Sequence, residues 1–445
     1  MNNANLTKAC TAALVLALAG CEKATYEPEQ QSGANPPLPE ARSFLVPPMQ
    51  VPKGTGWAQG EKPAVADGLA IEPIASGLMH PRQLLTLPNG DVLVVEANGP
   101  GAEPVSSPKQ MIAGIVKNQS GKGGKGGNRI TLLRRAPGQQ GEWQKHVFIE
   151  NLHSPFGVQL IGDALYVANT DNIMRYRYTP GETRMSDPGV EFTDLPGTVN
   201  HHWTKALLAS PDGSRLYVGV GSNSNITENG LDVEYRRAVV LEVDARTGAS
   251  RIYASGIRNP TGLGWEPTTG RLWAIANERD EIGADLVPDY LTSVREGGFY
   301  GWPYSYYGQH VDTRVRPQRP DLVAKAIRPD YALGSHVAPL GLWFYRGDGL
   351  PEKYRGGAFI SEHGSWDRSP LSGYDVVFVR FAGGKPVGTP ERIVTGFAAQ
   401  DQKTLKGAPV GLVEDAEGAL LIADDVGNTV WRVSARDVGG TAEQR

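Results

Sequence analysis

The sequence predicts an all-β chain, a six-bladed β-propeller with long loop insertions, on three observations. A single hairpin phrase recurs six times, the turns inside it carry Gly beside Asn or Asp, and convincing amphipathic helices are scarce. The phrase is an apolar strand, a Gly-containing turn, and a second apolar strand that ends near a polar residue. At roughly 60 residues per unit it fits six blades around a central channel better than a tandem two-sheet sandwich, which would not echo one hairpin so often.

The copies follow in chain order. The first runs from Pro81-Arg82-Gln83-Leu84 to Asp91-Val92-Leu93-Val94-Val95-Glu96, and the second from Pro155-Phe156-Gly157-Val158 to Ala164-Leu165-Tyr166-Val167-Ala168-Asn169. The third passes from Ala206-Leu207-Leu208 through Asp212-Gly213 to Leu216-Tyr217-Val218-Gly219-Val220. The fourth links Pro260-Thr261-Gly262-Leu263 to Leu272-Trp273-Ala274-Ile275-Ala276. The fifth links Pro339-Leu340-Gly341-Leu342 to Gly357-Ala358-Phe359-Ile360, and the sixth Pro409-Val410-Gly411-Leu412 to Ala419-Leu420-Leu421-Ile422-Ala423-Asp424. Pro88-Asn89-Gly90 and Pro211-Asp212-Gly213 read as hairpin turns, because Asn-Gly and Asp-Gly tolerate positive φ. The strands alternate weakly, as strands buried on both faces do.

Residues 1–21 read as a lipoprotein export signal. Lys8 is the basic start, residues 12–19 are an apolar run too short to span a bilayer, and Leu18-Ala19-Gly20-Cys21 places small residues before a lipidation cysteine, Cys21. Glu22 rather than aspartate follows, so the expected destination is a periplasm-facing outer-membrane lipoprotein. Residues 22–65, rich in Pro, Gly, Gln and Glu, are expected to be a flexible tether. Residues 66–436 are expected to form the propeller and 437–445 to be a disordered tail.

The formal charge is −4, which argues against a nucleic-acid binder. Both cysteines, Cys10 and Cys21, lie in the leader, so the body has no disulfide and no thiolate metal site. No Cys-x-x-Cys-His haem signature occurs, and electrons would leave to a separate acceptor. The run Gly121-Lys122-Gly123-Gly124-Lys125-Gly126-Gly127 lacks the spacing and ending of a phosphate loop and is expected to be a flexible insertion.

Propellers bind ligands at the channel mouth, where the starts of first strands and the ends of second strands converge. Repeat phase puts His202, Lys205, Ser222, Asn223, Arg258, Asn259, Glu278, Arg279, Asp280, His336, His363 and Asp424 there. His202, in Asn200-His201-His202-Trp203-Thr204-Lys205, suits a general base, with His201 a competitor. Arg258 offers a rigid fork for a charged oxygen. The acidic turn Glu278-Arg279-Asp280-Glu281-Ile282-Gly283-Ala284-Asp285 offers oxygens to calcium without the spacing of an EF-hand, and reads equally as a solvated loop.

Several long motifs, in order, resemble the L-sorbosone dehydrogenase family, which belongs with the soluble quinoprotein glucose dehydrogenases and the pyrroloquinoline-quinone (PQQ)-dependent pyranose dehydrogenases. They are His202 with its strand, Arg258-Asn259-Pro260-Thr261-Gly262-Leu263, Asn277-Glu278-Arg279-Asp280, Gly297-Gly298-Phe299-Tyr300-Gly301-Trp302-Pro303, His336-Val337-Ala338-Pro339-Leu340-Gly341-Leu342 and Glu362-His363-Gly364-Ser365-Trp366-Asp367-Arg368. The resemblance covers roughly residues 70–435 and implies a PQQ- and Ca²⁺-dependent dehydrogenase for an aldose or sugar aldehyde. It implies His202 as base, Arg258 and Asn259 as quinone contacts, His336 as a cofactor contact, and Arg279 and Asp280 at the calcium through their backbone carbonyls, with Asp285 close behind. Ser222, with Asn223, stands on the substrate side where relatives carry aspartate. Ala408 stands where relatives have an arginine facing the quinone carboxylates, and Arg368, Lys205 or Lys406 are the candidate replacements. Two other readings stay open: a calcium-dependent lactonase-like hydrolase, and a non-catalytic propeller that binds sugar or an envelope partner.

Overall fold

The computed structural model describes residues 23–42, 50–100, 119–123, 125–136, 143–198 and 201–436. The expected signal, with Cys21, and the expected C-terminal tail lie outside them. Six antiparallel sheets form the blades, each built from the recurring hairpin and continued outward. Blade 1 consists of Pro81–Thr86, Val92–Glu96, Arg129–Arg135 and Trp143–Ile149; blade 2 of Gly157–Ile161, Ala164–Ala168, Asn172–Arg177 and Val190–Asp194. Blade 3 is Lys205–Ala209, Arg215–Val220, Val239–Asp244 and Ser250–Ser255; blade 4 is Pro260–Trp265, Leu272–Ala276, Pro288–Ser293 and Tyr331–Ser335. Blade 5 is Pro339–Phe344, Ala358–Glu362, Asp375–Ala382 and Lys385–Thr395. Blade 6 takes Pro409–Glu414, Leu420–Asp424 and Thr429–Ala435 from the C-terminal side and Leu69–Ser76 from the N-terminal side. The register from Thr429↔Ser76 to Ala435↔Leu69 closes the ring, so no blade edge is left at the junction.

Six apolar clusters fill the six seams between neighbouring blades. Leu132 and Phe148 meet Val158 and Leu165 between blades 1 and 2, and Val413, Leu421 and Val430 meet Val92, Val94 and Leu133 where blade 6 meets blade 1. The second strands, Val92–Glu96, Leu272–Ala276, Ala358–Glu362 and Leu420–Asp424, are buried along their whole length. Each strand therefore faces apolar neighbours on both sides, which is why its sequence does not alternate. Gly90, at φ +86°, makes the first hairpin turn, where Asn89 also accepts the Asp91 N–H.

The expectation of a flexible tether over residues 22–65 is corrected by the structure for the described part, 23–42 and 50–65. Ser32–Gly33 adds a fifth strand to blade 4, Lys53–Gly54 runs parallel to Thr404–Leu405, and Ala64–Val65 extends blade 5. Gln31, fully buried, donates to the Asp285 carbonyl at 2.8 Å, and Trp57 donates to Asp424 at 2.7 Å. The composition that reads as a linker is that of an extended strap. Its backbone groups pair with the outer strands and loops of blades 4 and 5 and with the entry to blade 6, instead of with itself.

Candidate active site

In every blade the start of the first strand, the end of the second and the start of the third lie at one end of the sheet, so the loops there form a common mouth. Blade 3 contributes His202. Its Nδ1 lies 2.9 Å from the Ser222 carbonyl and 3.0 Å from Ser222 Oγ. The carbonyl can only accept, and the hydroxyl spends its proton on Ser224 O at 2.6 Å. Nδ1 therefore carries the proton and Nε2 keeps its lone pair. Burial, with Arg258 and His201 beside it, holds His202 well below the ordinary histidine range, so the ring is neutral at pH 7. His201 stands edge-to-face at 4.7 Å. Gly221 makes the approach of His202 to blade 4 possible: a Cβ there would sit 2.5 Å from His202 Cβ and 2.3 Å from Asn259 Oδ1. That Asn259 oxygen is buried without a hydrogen-bond partner.

Arg258 serves as a clamp. Its guanidinium donates to Glu278 O at 2.6 Å, to Asn225 Oδ1 at 2.9 Å and to Asn225 O at 3.2 Å, and it pairs with Asp280 at 3.6 Å. The acidic turn is thereby drawn over the channel. Arg279 turns the other way. Fully buried, it pairs with Glu278 and Asp312 and donates to the carbonyls of Pro303 and Ser305, tying the turn to the insertion of blade 4.

The side chains of Arg279, Asp280 and Asp285, which the resemblance set near one ion with the backbone carbonyls of the first two as ligands, do not converge on one point. The Asp285 carboxylate accepts the N–H groups of Thr25, at 2.6 Å, and Tyr26, and pairs with Arg368, so it anchors the strap. Asp280 instead meets His336 and Asp367, with one ligand atom of each within 4.8 Å of the others. His336 Nδ1 is 3.4 Å from Asp280 and 3.3 Å from Asp367, while its Nε2 donates to Gly283 O at 3.1 Å. Burial would push this imidazole down, but Asp367, Asp280 and Asp289 raise it to about 10. Asp367 itself is pushed up to about 7 by burial. Three carboxylates thus surround one imidazole and keep it protonated at pH 7. Were an ion to displace the Nδ1 proton, the ring would face it through Nδ1 while Nε2 donates to the Gly283 carbonyl. Carboxylate oxygens are the ligand type a hard divalent ion takes.

Asp289 fastens this corner by accepting the N–H groups of Glu278 and Ala338, each at 2.7 Å, and so joins blades 4 and 5.

The other sequence candidates have these places. Lys205, buried at the start of its strand, donates to Trp203 O and lies near Asp171 and Arg237. Arg368 holds the strap through Tyr26 O, and Lys406 pairs with Glu61. Asn223 has its N–H on Glu234, and Glu278 pairs with Arg279. Asp424 accepts from the Ala408 N–H and from Trp57.

A second polar cluster is assembled only by the fold, and of its members the sequence placed His363 alone at the mouth. Around Asp425 stand Arg82 and His363, both hydrogen-bonded to it, with His80 at 3.9 Å. Lys122 lies beside them. Its ammonium donates to His363 O, Gly364 O and Tyr374 Oη at 3.0–3.2 Å and lies 4.6 Å from the centre of the Tyr374 ring. The glycine-rich run thus delivers a lysine into the mouth. Arg82 occupies the same repeat phase as the other candidates and was legible by that rule; Lys122 was not, because it belongs to an insertion between strands.

The mouth of this six-bladed propeller gathers a neutral histidine, a triad of two carboxylates and a histidine, and buried guanidinium groups, and the family the chain matches is one of oxidoreductases that act on sugars. The Glucose / Sorbosone dehydrogenase profile matches residues 163–399, more than half of the chain, and the chain belongs to that family. An uncharacterized protein of Borreliella burgdorferi is 27% identical over 299 residues, 65% of this chain and 77% of the relative. A pyrroloquinoline quinone-dependent sugar dehydrogenase of Hypocrea jecorina is 23% identical over 272 residues, 55% of this chain and 57% of its own length. Among solved structures, the calcium structure of the Trichoderma reesei family AA12 enzyme aligns with a TM-score of 0.68 at 21% identity, covering 84% of this chain and 97% of the other. The holo PQQ domain of pyranose dehydrogenase from Coprinopsis cinerea aligns at 0.67 with 19% identity, covering 86% and 100%. These structural likenesses carry the fold.

Proposed function

We propose that this protein is a PQQ- and calcium-dependent dehydrogenase that oxidises an aldose or a sugar aldehyde of the sorbosone kind. The observation that carries the reading is His202: neutral, with Nδ1 tied to Ser222 and Nε2 free to accept a proton, at the same mouth as the triad Asp280, His336 and Asp367. When bound, the quinone supplies a two-electron acceptor and the ion a Lewis acid. His202 Nε2 takes the proton of the sugar hydroxyl while hydride leaves the same carbon. Asp280, Asp367 and His336 Nδ1 would hold the ion. Asn259 Oδ1, unpartnered and buried beside the base, is an acceptor for an N–H of the quinone or a hydroxyl of the sugar. Arg258 keeps the acidic turn in place for both. Ser222 acts through His202, whose tautomer it sets.

Family membership favours dehydrogenation over the lactonase-like alternative and over a non-catalytic propeller. Electrons pass to a separate acceptor. The leader motif ending at Cys21 supports export and a lipid anchor at the periplasmic face of the outer membrane; among the described residues no helix is long and apolar enough to cross a membrane. The test mixes the purified protein with PQQ and Ca²⁺ and records the absorption spectrum before and after a panel of aldoses and sorbosone. Reduction of the quinone by one sugar is expected and names the substrate class. Absence of quinone binding with and without Ca²⁺ would overturn the reading.

A further inference from the structure

The strap fastens to the propeller directly after the expected lipidation cysteine, and it fastens at the mouth. The Ala24 N–H donates to Ser369 O at 2.8 Å, two residues beyond Asp367 of the triad. The Thr25 N–H donates to the Asp285 carboxylate at 2.6 Å, and Arg368 donates to Tyr26 O. Buried Gln31 donates to Asp285 O at 2.8 Å, and Ser32–Gly33 pairs with Leu333 and Ala332 of blade 4. The Arg42 N–H closes the series on Ile282 O at 2.9 Å. Ile282 and Asp285 lie between the second and third strands of blade 4, and Arg368 and Ser369 between those of blade 5. Both connections are at the mouth end of their blades.

We propose that this attachment turns the propeller mouth-side toward the membrane, with the mouth rim of blades 4 and 5 held at the lipid surface. The inference rests on the reading of Cys21 as the residue that carries lipid, which fixes it at that surface. Ala24 is three residues after Cys21. A chain extends at most about 3.6 Å per residue, so the lipid joins the protein within about 11 Å of Ala24. The first hairpin turns lie at the opposite end of the blades, one strand away, about 17–20 Å for strands of this length. That is beyond the reach of the leash, so the turn end faces away from the lipid. A linker made of all of residues 22–65 would instead allow a separation of about 35 Å and would select no face. The strap therefore sets an orientation that a tether of the same length would leave free. Whatever takes electrons from this mouth then works in the layer next to the bilayer.

The test uses the full chain, expressed and processed in a bacterium and reconstituted in phosphatidylethanolamine–phosphatidylglycerol vesicles that contain headgroup-spin-labelled lipid as a quencher. No cysteine occurs beyond residue 21, so a single introduced thiol takes a single fluorophore. Gln400→Cys marks the mouth: it is exposed, distant from Cys21 in sequence, and lines the same cavity as Glu27 and Glu29 of the strap. Ala416→Cys marks the exposed hairpin turn of blade 6 at the opposite end. Melting curves confirm that each labelled variant folds. The expected result is loss of fluorescence at position 400 and none at 416. A Gly/Ser insertion of about 20 residues between Glu22 and Lys23 lengthens the leash by about 25 Å and should abolish the loss at 400. Any other pattern in an acylated protein, or quenching at 400 that survives the insertion, overturns the proposal. Mass spectrometry of the N-terminal peptide separates the two failures: a processed chain without acyl groups on Cys21 overturns the lipid-anchor reading itself, and the orientation with it.

Discussion

Gly221→Ala tests whether the base and its blade 4 neighbour are held by direct contact. The added Cβ would stand 2.5 Å from His202 Cβ and 2.3 Å from Asn259 Oδ1. Ordinary contact distances are about 3.5 Å, so each neighbour must retreat by about 1 Å. Such overpacking costs about 1–3 kcal/mol, which leaves a propeller of this size folded. A displacement of about 1 Å at the base costs about 100-fold in rate. The assay is dye-linked oxidation of the best sugar from the panel, with melting temperature measured in parallel. Gly270→Ala is the control: it sits in a hairpin turn of blade 4 at φ +66° with nothing near the new Cβ, so it strains the backbone and leaves the site alone. We expect kcat/KM to fall about 100-fold in Gly221→Ala and to be unchanged in Gly270→Ala. A folded Gly221→Ala variant with kcat/KM within about threefold of wild type would refute the contact argument.

The remaining predictions are independent of it. His202→Ala should lower turnover by about 10²- to 10⁴-fold while quinone binding, read by fluorescence, survives; undiminished turnover removes His202 from the chemistry. Because burial and Arg258 depress the His202 pKa, its base form persists below the ordinary histidine range, and the acid limb of kcat/KM should fall below pH 6.5. A limb at or above that value in wild type, absent from other variants, would contradict the buried neutral ring. Arg279→Met should destabilise the protein by about 3–5 kcal/mol in urea unfolding, since it strands the buried carboxylate of Glu278, while Asp312 keeps Arg314. Asp285→Ala should release the strap: faster amide exchange at Thr25 and Tyr26 is expected, with a stability loss of about 2–3 kcal/mol, and unaltered exchange would show that the strap is held elsewhere.

The propeller was legible because its signal is repeated. Each blade must bury the same hairpin between two neighbours, and the six copies carry that requirement on their face. The mouth was partly legible through the same phase, which is how His202, Arg258, Asp280 and His336 came to be grouped. Asp285 was misgrouped because five residues along a turn are enough to reverse the direction of a side chain, and linear proximity does not record that. Residues 22–65 read as a tether because a strap and a linker share a composition; what separates them is whether other strands offer partners for the backbone.

The chain by itself determined the repeat, the blade order, the cysteine-free body and the family, since each is written in local pattern. Only the tertiary structure decided which charges meet. Asp280, His336 and Asp367 come from three separate loops, and Arg82 from a strand with Lys122, His363 and Asp425 from three more loops, and their convergence follows from closing six blades in a ring. Charge balance in a buried site depends on distances across that ring, and a linear sequence carries no term for them.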